Sequence, residues 1–217
     1  LSCMSDQYQT IADESTGDFR DRGSKFLAYA YPIHGAADWQ EALEATKKLH
    51  PKARHHCYAF RIGLDGNQFR ANDDGEPSGS AGRPILGQID SFGLTNVFVV
   101  VVRYFGGTKL GIPGLINAYK SATQQALASA NIVIKIVSKH VALDFDYSLM
   151  SDVMNGVKKL QLEIIEQDFG DRGRLLLAIP QSEVEDQLLA LKAQILKVSR
   201  EQAAEVEHIG GLNVSVT

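Results

Sequence analysis

The spacing of apolar positions divides the chain into segments. From residue 138 onward, HVALDFDY alternates as a strand, and Leu149, Val153, Val157 and Leu160 then recur on one helical face. QLEIIEQDF and RLLLAIP read as two more strands joined by Gly170, Asp171, Arg172 and Gly173, residue types suited to a hairpin turn. Val184, Leu188, Leu191 and Ile195 mark a second amphipathic helix, and Leu212, Val214 and Val216 mark a last strand. The order βαββαβ predicts a ferredoxin-like unit, a small antiparallel sheet with both helices on one face.

The pattern upstream is different. Strands are predicted around Gln7 to Ala12 and Ser24 to Pro32, then a helix through Trp39, Leu43, Thr46 and Leu49. HHCYAFRIG reads as a strand entering a hairpin through Leu64 to Asn67. Val97 to Val102 is continuously apolar and largely β-branched, which suits an interior strand covered on both faces. Leu115, Tyr119, Ala122, Ala126 and Ala130 form one apolar helix face, and NIVIKIV supplies a closing strand. The chain is therefore predicted to be α+β with two domains, 1–137 and 138–217, a division that 217 residues accommodate.

Composition narrows the class. Apolar residues make up 44% of the chain, but no run approaches the roughly 18 to 20 apolar residues of a membrane span. No secretory signal is read in LSCMSDQYQT, and Met4 is a candidate natural start preceded by Leu1 to Cys3. Two cysteines, Cys3 and Cys57, imply no disulfide framework, so a cytoplasmic location is expected. The net charge of −4 argues against indiscriminate coating of nucleic acid. Residues 1–137 hold 14 Lys+Arg against 13 Asp+Glu, whereas residues 138–217 hold 8 against 13. Any phosphate contact is therefore expected in the first domain, from a local patch.

Two segments carry candidate chemistry. RYFGGTKLGIPG follows the apolar strand and opens a helix, an arrangement that presents backbone N–H groups and a positive helix end to an anion. Arg103 and Lys109 add charge, Tyr104 flanks them, and Gly106, Gly107, Gly111 and Gly114 permit positive φ and close backbone approach. Pro113 suits a first helical turn. The spacing is neither that of a nucleotide-binding P-loop nor that of a dinucleotide fold. A tight connection whose glycines serve packing fits the same residues. Arg83 and Lys120 are further cations that could reach phosphate.

The second segment, DDGEPSGSAGRP, places Asp73, Asp74 and Glu76 within four positions of a Gly-rich loop, beside Ser78. Such acids bind a hard cation, supply a general base, or simply form solvated turns. His55 and His56 precede Cys57, but neighbouring strand residues point to opposite faces, so no metal site is assigned. No cofactor is called for.

DDGEPSGSAGRPIL and VVVVRYFGGTKLGIPGLINAY, with the H-x-C-Y-A-F run upstream, resemble the signature of the IMPACT family, and the two-domain layout resembles its bacterial YigZ group. The resemblance covers roughly residues 20 to 130. It implies that the first domain is similar to the second domain of ribosomal protein S five, and that the second is similar to the last domain of elongation factor G. Eukaryotic relatives regulate a translation-controlling kinase through an RWD domain for which this sequence has no room, so that role is not carried over. The family reads KLGxGG where this chain has KLGIPG, so Pro113 removes one amide donor from the loop.

Three functional readings follow. The preferred one is a non-enzymatic module that contacts RNA or the ribosome, with a role in translation, through the basic mouth of the first domain. The others are a metal-dependent hydrolase or phosphoryl-group enzyme using the acid loop opposite Arg103 and Lys109, and a scaffold that docks a protein partner. No membrane partner is expected. The acid loop and the glycine turn are expected to be neighbours in space.

Overall fold

The computed structural model describes residues 6–64 and 66–216. Leu1 to Cys3 and the candidate start Met4 lie outside them, as does one residue of the predicted 64–67 turn. The chain divides into two compact units, one built from Gln7–Lys135 and the other from Ile136 onward together with Asp6.

In the first unit, β1 (Gln7–Ile11), β2 (Ser15–Asp21) and β3 (Ser24–Pro32) precede α1 (Ala36–Leu49). β4 (His55–Ile62), β5 (Gln68–Asn72) and α2 (Gly82–Ser91) come next, then β6 (Val97–Tyr104), α3 (Gly111–Ser129) and β7 (Ile132–Ile136). Five strands form one antiparallel sheet in the order β2-β3-β6-β4-β5. β6 lies at its centre and is buried from Val97 to Arg103.

Its unbroken apolar run follows from cover on both faces. Phe98 and Val100 meet α1, where Trp39 stacks on Tyr58 and Phe60 at 5.5 and 5.2 Å. Val97, Val99 and Val101 meet α2 and α3 through Ile85, Ile89, Leu115, Tyr119 and Ala122. The alanines of α3 let it sit low on the sheet. A Cβ on Gly17 of β2 would lie 2.5 Å from the Ala122 carbonyl oxygen, so that contact requires glycine.

Some elements depart from the sequence expectation. β2 is an edge strand whose single apolar anchor, Phe19, left too weak an alternation to read. The end of the Gly/Pro-rich segment is helical: α2 starts at Gly82 with Pro84 in its first turn, where a missing N–H costs nothing. β7 pairs with β1 in a separate two-stranded sheet and does not close the main one.

The second unit contains β8 (Ser138–Phe145), α4 (Met150–Lys159), β9 (Glu163–Phe169), β10 (Gly173–Pro180), α5 (Val184–Leu196), a short α6 (Arg200–Glu205) and β11 (Leu212–Val216). The antiparallel order β11-β8-β10-β9 is the ferredoxin-like arrangement. Val141, Leu143, Phe145, Leu175, Leu177 and Ile179 meet Val153, Val157, Leu191 and Ile195 in its core. Arg172, in the β9–β10 turn, donates to Asp144, Asp146 and the Gly211 carbonyl, tying the hairpin to the start of β11. α6 is not predicted by the sequence pattern, because its six residues offer one buried side chain, Ala203, and no periodicity.

Candidate functional site

The acid loop between β5 and α2 holds its three carboxylates in three different roles. Asp73 accepts hydrogen bonds from the amides of Gly79, Ala81 and Gly82 at 2.8–3.0 Å, so it caps α2 from nine residues upstream. Burial alone would raise its pKa, but those amides and the nearby Arg83 hold the carboxyl below the usual range. Asp74 bridges to β4. Its carboxylate accepts the His56 amide at 2.6 Å, and its carbonyl accepts the Nδ1 proton of His55 at 2.8 Å.

Glu76 reaches furthest. Its Oε1 accepts from Arg103 Nη1 at 2.6 Å and from the Tyr119 hydroxyl at 2.9 Å. The side chains of Glu76 and Arg103 are only 4% and 7% exposed. The Cys57 thiol lies 3.3 Å from the same hydroxyl and 3.0 Å from the Asp73 carbonyl. A polar chain therefore runs from Cys57 through Tyr119 and Glu76 to Arg103, joining β4, α3, the acid loop and β6. Burial pushes the Cys57 thiol and the Tyr119 hydroxyl up, so both stay neutral donors. The acid loop and the β6–α3 turn are thus linked through Glu76 and Arg103.

Arg103 is accordingly balanced by an internal carboxylate and is not a free cation. Its guanidinium carbon lies 5.5 Å from the Phe26 ring centre and 5.6 Å from that of Phe105. The remaining sequence candidates are distributed as follows. Lys109, Arg83 and Lys120 are exposed and form no ion pair among the described residues, and Ser78 is exposed. Gly107 and Gly111 have φ of +89° and +72°, in the left-handed region. Gly106 is required for packing, because a Cβ there would lie 1.9 Å from the Gly23 carbonyl carbon. Its amide donates to Ser24 Oγ at 3.1 Å. Gly106 therefore serves the packing of the turn, while Gly107 and Gly111 adopt positive φ. Pro113 sits in the first turn of α3, whose N-terminus carries no side-chain cap.

His55 and His56 face opposite sides of β4. His56 is buried toward α1 with Nε2 unpartnered, and burial lowers its pKa. Tyr104 points to the same side as His56, its hydroxyl 3.0 Å from His50 Nδ1, while His50 Nε2 lies 2.6 Å from the Tyr29 hydroxyl. His55 remains half-buried at the mouth of a cleft of about 370 Å³.

That cleft is lined by Lys52, Arg54, His55, Arg103, Tyr104 and Phe105. It forms where the α1–β4 connection meets the end of β6. Lys52 and Arg54 are exposed, and Phe105 is 57% exposed at the head of the glycine turn. These three residues are not among the candidates the sequence offers. The signal was present in KKLHPKARHH, where residues 47–56 carry seven Lys, Arg or His side chains. A larger depression of about 610 Å³ in the second unit is walled mainly by apolar side chains such as Leu188, Leu191, Ile195, Ile209 and Leu212. Its lysine, Lys192, donates to the Val206 carbonyl.

The Impact N-terminal domain model matches residues 22–127. An IMPACT family member of Haemophilus influenzae is 38% identical over 164 residues, covering 75% of this chain and 80% of the relative. The IMPACT family member YigZ of Escherichia coli is 32% identical over 163 residues, covering 74% of this chain and 80% of YigZ. The crystal structure of a hypothetical protein, 28% identical, covers 96% of each chain with a TM-score of 0.65. The matched region contains the acid loop, Arg103 and the glycine turn, and the longer alignments span most of both chains: this protein belongs to the IMPACT family.

Proposed function

We propose that the first unit binds RNA weakly through its phosphates, at the cleft between the α1–β4 connection and the β6–α3 turn. The observation that carries this reading is the convergence of Lys52, Arg54 and His55 with the Arg103–Phe105 end of β6 around one cleft. Lys52, Arg54 and Lys109 supply the free positive charge. Arg103, neutralised by Glu76, holds the mouth in shape. Arg83 of α2 and Lys120 of α3 are further exposed cations of the same unit. The resemblance of this unit to a ribosomal-protein domain supports a partner in the translation apparatus.

The metal-dependent enzyme reading has less support. Asp73 is committed to three amides, Asp74 to His56, and Glu76 to Arg103 and Tyr119. The three carboxylates thus serve three different local partners, and no group of three or more His, Cys, Asp or Glu side chains among the described residues is arranged to hold a metal ion.

Fluorescence polarisation with a labelled RNA, titrated at several salt concentrations, tests the proposal. Each phosphate contact contributes about −0.7 to −0.9 to the log–log salt slope. Arg54→Ala and Lys109→Ala should each flatten the slope by about one contact and weaken different sequences alike. Slopes identical to that of the unmodified protein would reject the assignment.

A further inference from the structure

We infer that the cleft takes single-stranded RNA, with one unpaired base stacked on the Phe105 ring. This rests on the RNA reading above and adds the class of RNA. Cations alone recognise duplex and single strand alike. The geometry around Phe105 separates the two.

Phe105 is a large apolar side chain left 57% exposed beside a cleft with two exposed cations, Lys52 and Arg54. Its backbone is fixed. The amide of the next residue, Gly106, donates to Ser24 Oγ, and Gly106 packs so closely on Gly23 that no Cβ fits between them. The Arg103 guanidinium lies near the ring and is itself held by Glu76. The ring therefore stands on a fixed backbone mount, and ordering it under a flat partner restricts only its two side-chain torsions.

An aromatic face next to phosphate-binding cations is the arrangement that binds unpaired nucleotides, because every base offers a π-face and the backbone follows the positive charge. A duplex buries its base faces in its own stack and presents phosphates and groove edges. A duplex would use Lys52, Arg54 and Lys109 and leave Phe105 idle. The cleft of about 370 Å³ is also on the scale of a single small ligand.

The test compares labelled oligouridylate and oligoadenylate with a blunt RNA duplex, using the full chain at low salt. Single strands should bind more tightly than the duplex. Phe105→Ala should weaken single-strand binding about tenfold while leaving the salt slope unchanged, since the ring touches no phosphate. Phe105→Trp should retain binding, and its fluorescence should be quenched by RNA. The native Trp39, buried between α1 and the sheet, provides the baseline. Equal binding of duplex and single strand, with Phe105→Ala at full affinity, would overturn the inference while leaving the RNA reading intact. Absence of binding to any RNA would remove both.

Discussion

Glu76 and Arg103, 27 positions apart in sequence, form an ion pair of 2.6 Å in which neither side chain is more than 7% exposed. Such a pair adds little net stability, but removing one partner strands a buried charge at a cost of about 3–5 kcal/mol. Glu76→Gln should therefore destabilise strongly. Glu76→Gln combined with Arg103→Met should recover much of the loss, because no unpaired charge remains. Urea unfolding of both single variants and the double variant measures this coupling. Strict additivity would mean that the pair does not exist as described.

The architecture was legible where periodicity was strong. The second unit is legible because β8 alternates, the β9–β10 segments flank a Gly-Asp-Arg-Gly turn and the two helices carry one apolar face each, and Val97 to Val102 announces an interior strand by needing cover on both faces. α2 was not legible, because its cap is Asp73, nine residues upstream, and local reading searches only the adjacent position. The site was half legible. The glycine turn and the acid loop stand out in the sequence and are expected to be neighbours, but nothing in the sequence shows that Glu76 neutralises Arg103 in a buried pair. The basic run of residues 47–56 is visible in the sequence, but that Lys52 and Arg54 share a cleft with Phe105 follows only once β4 and β6 lie side by side.

The α2 cap predicts an acid limb in the stability curve. The folded pKa of Asp73 is depressed, so the unfolded state binds more protons as pH falls below the unfolded value of about 3.9. Its contribution is present above that value and lost as pH drops through the folded pKa. Asp73→Ala should cost about 1–2 kcal/mol near neutrality, as other helix caps do. It should also flatten the fall in urea midpoint below pH 4. An unchanged acid limb would refute the capping role.

His56 acts in the same direction at higher pH. Buried beside Asp74, Lys47 and His50, its folded pKa lies below the ordinary value because burial disfavours the imidazolium. The unfolded chain therefore takes up the proton first, and stability should decline as pH falls below about 6.5. His56→Phe should make stability less sensitive to pH between about 6.5 and 5. A wild-type curve flat across that window would contradict the burial.

Cys57 should be chemically silent in the folded protein. The thiol is buried, hydrogen-bonded and held protonated by burial, whereas reactivity requires accessible thiolate. In a Cys3→Ser background, a chromogenic thiol reagent should give no signal until denaturant is added. Rapid modification of native protein would show that the Cys57–Tyr119–Glu76 chain opens readily.

Photocross-linking of bound oligouridylate to the full chain, followed by peptide mapping, locates the RNA on the protein. Cross-links should fall on the α1–β4 connection around Lys52 to His55 and on the turn from Phe105 to Lys109, and they should fade as salt is raised. Cross-links confined to residues 138–217, or none at any salt concentration, would contradict the account.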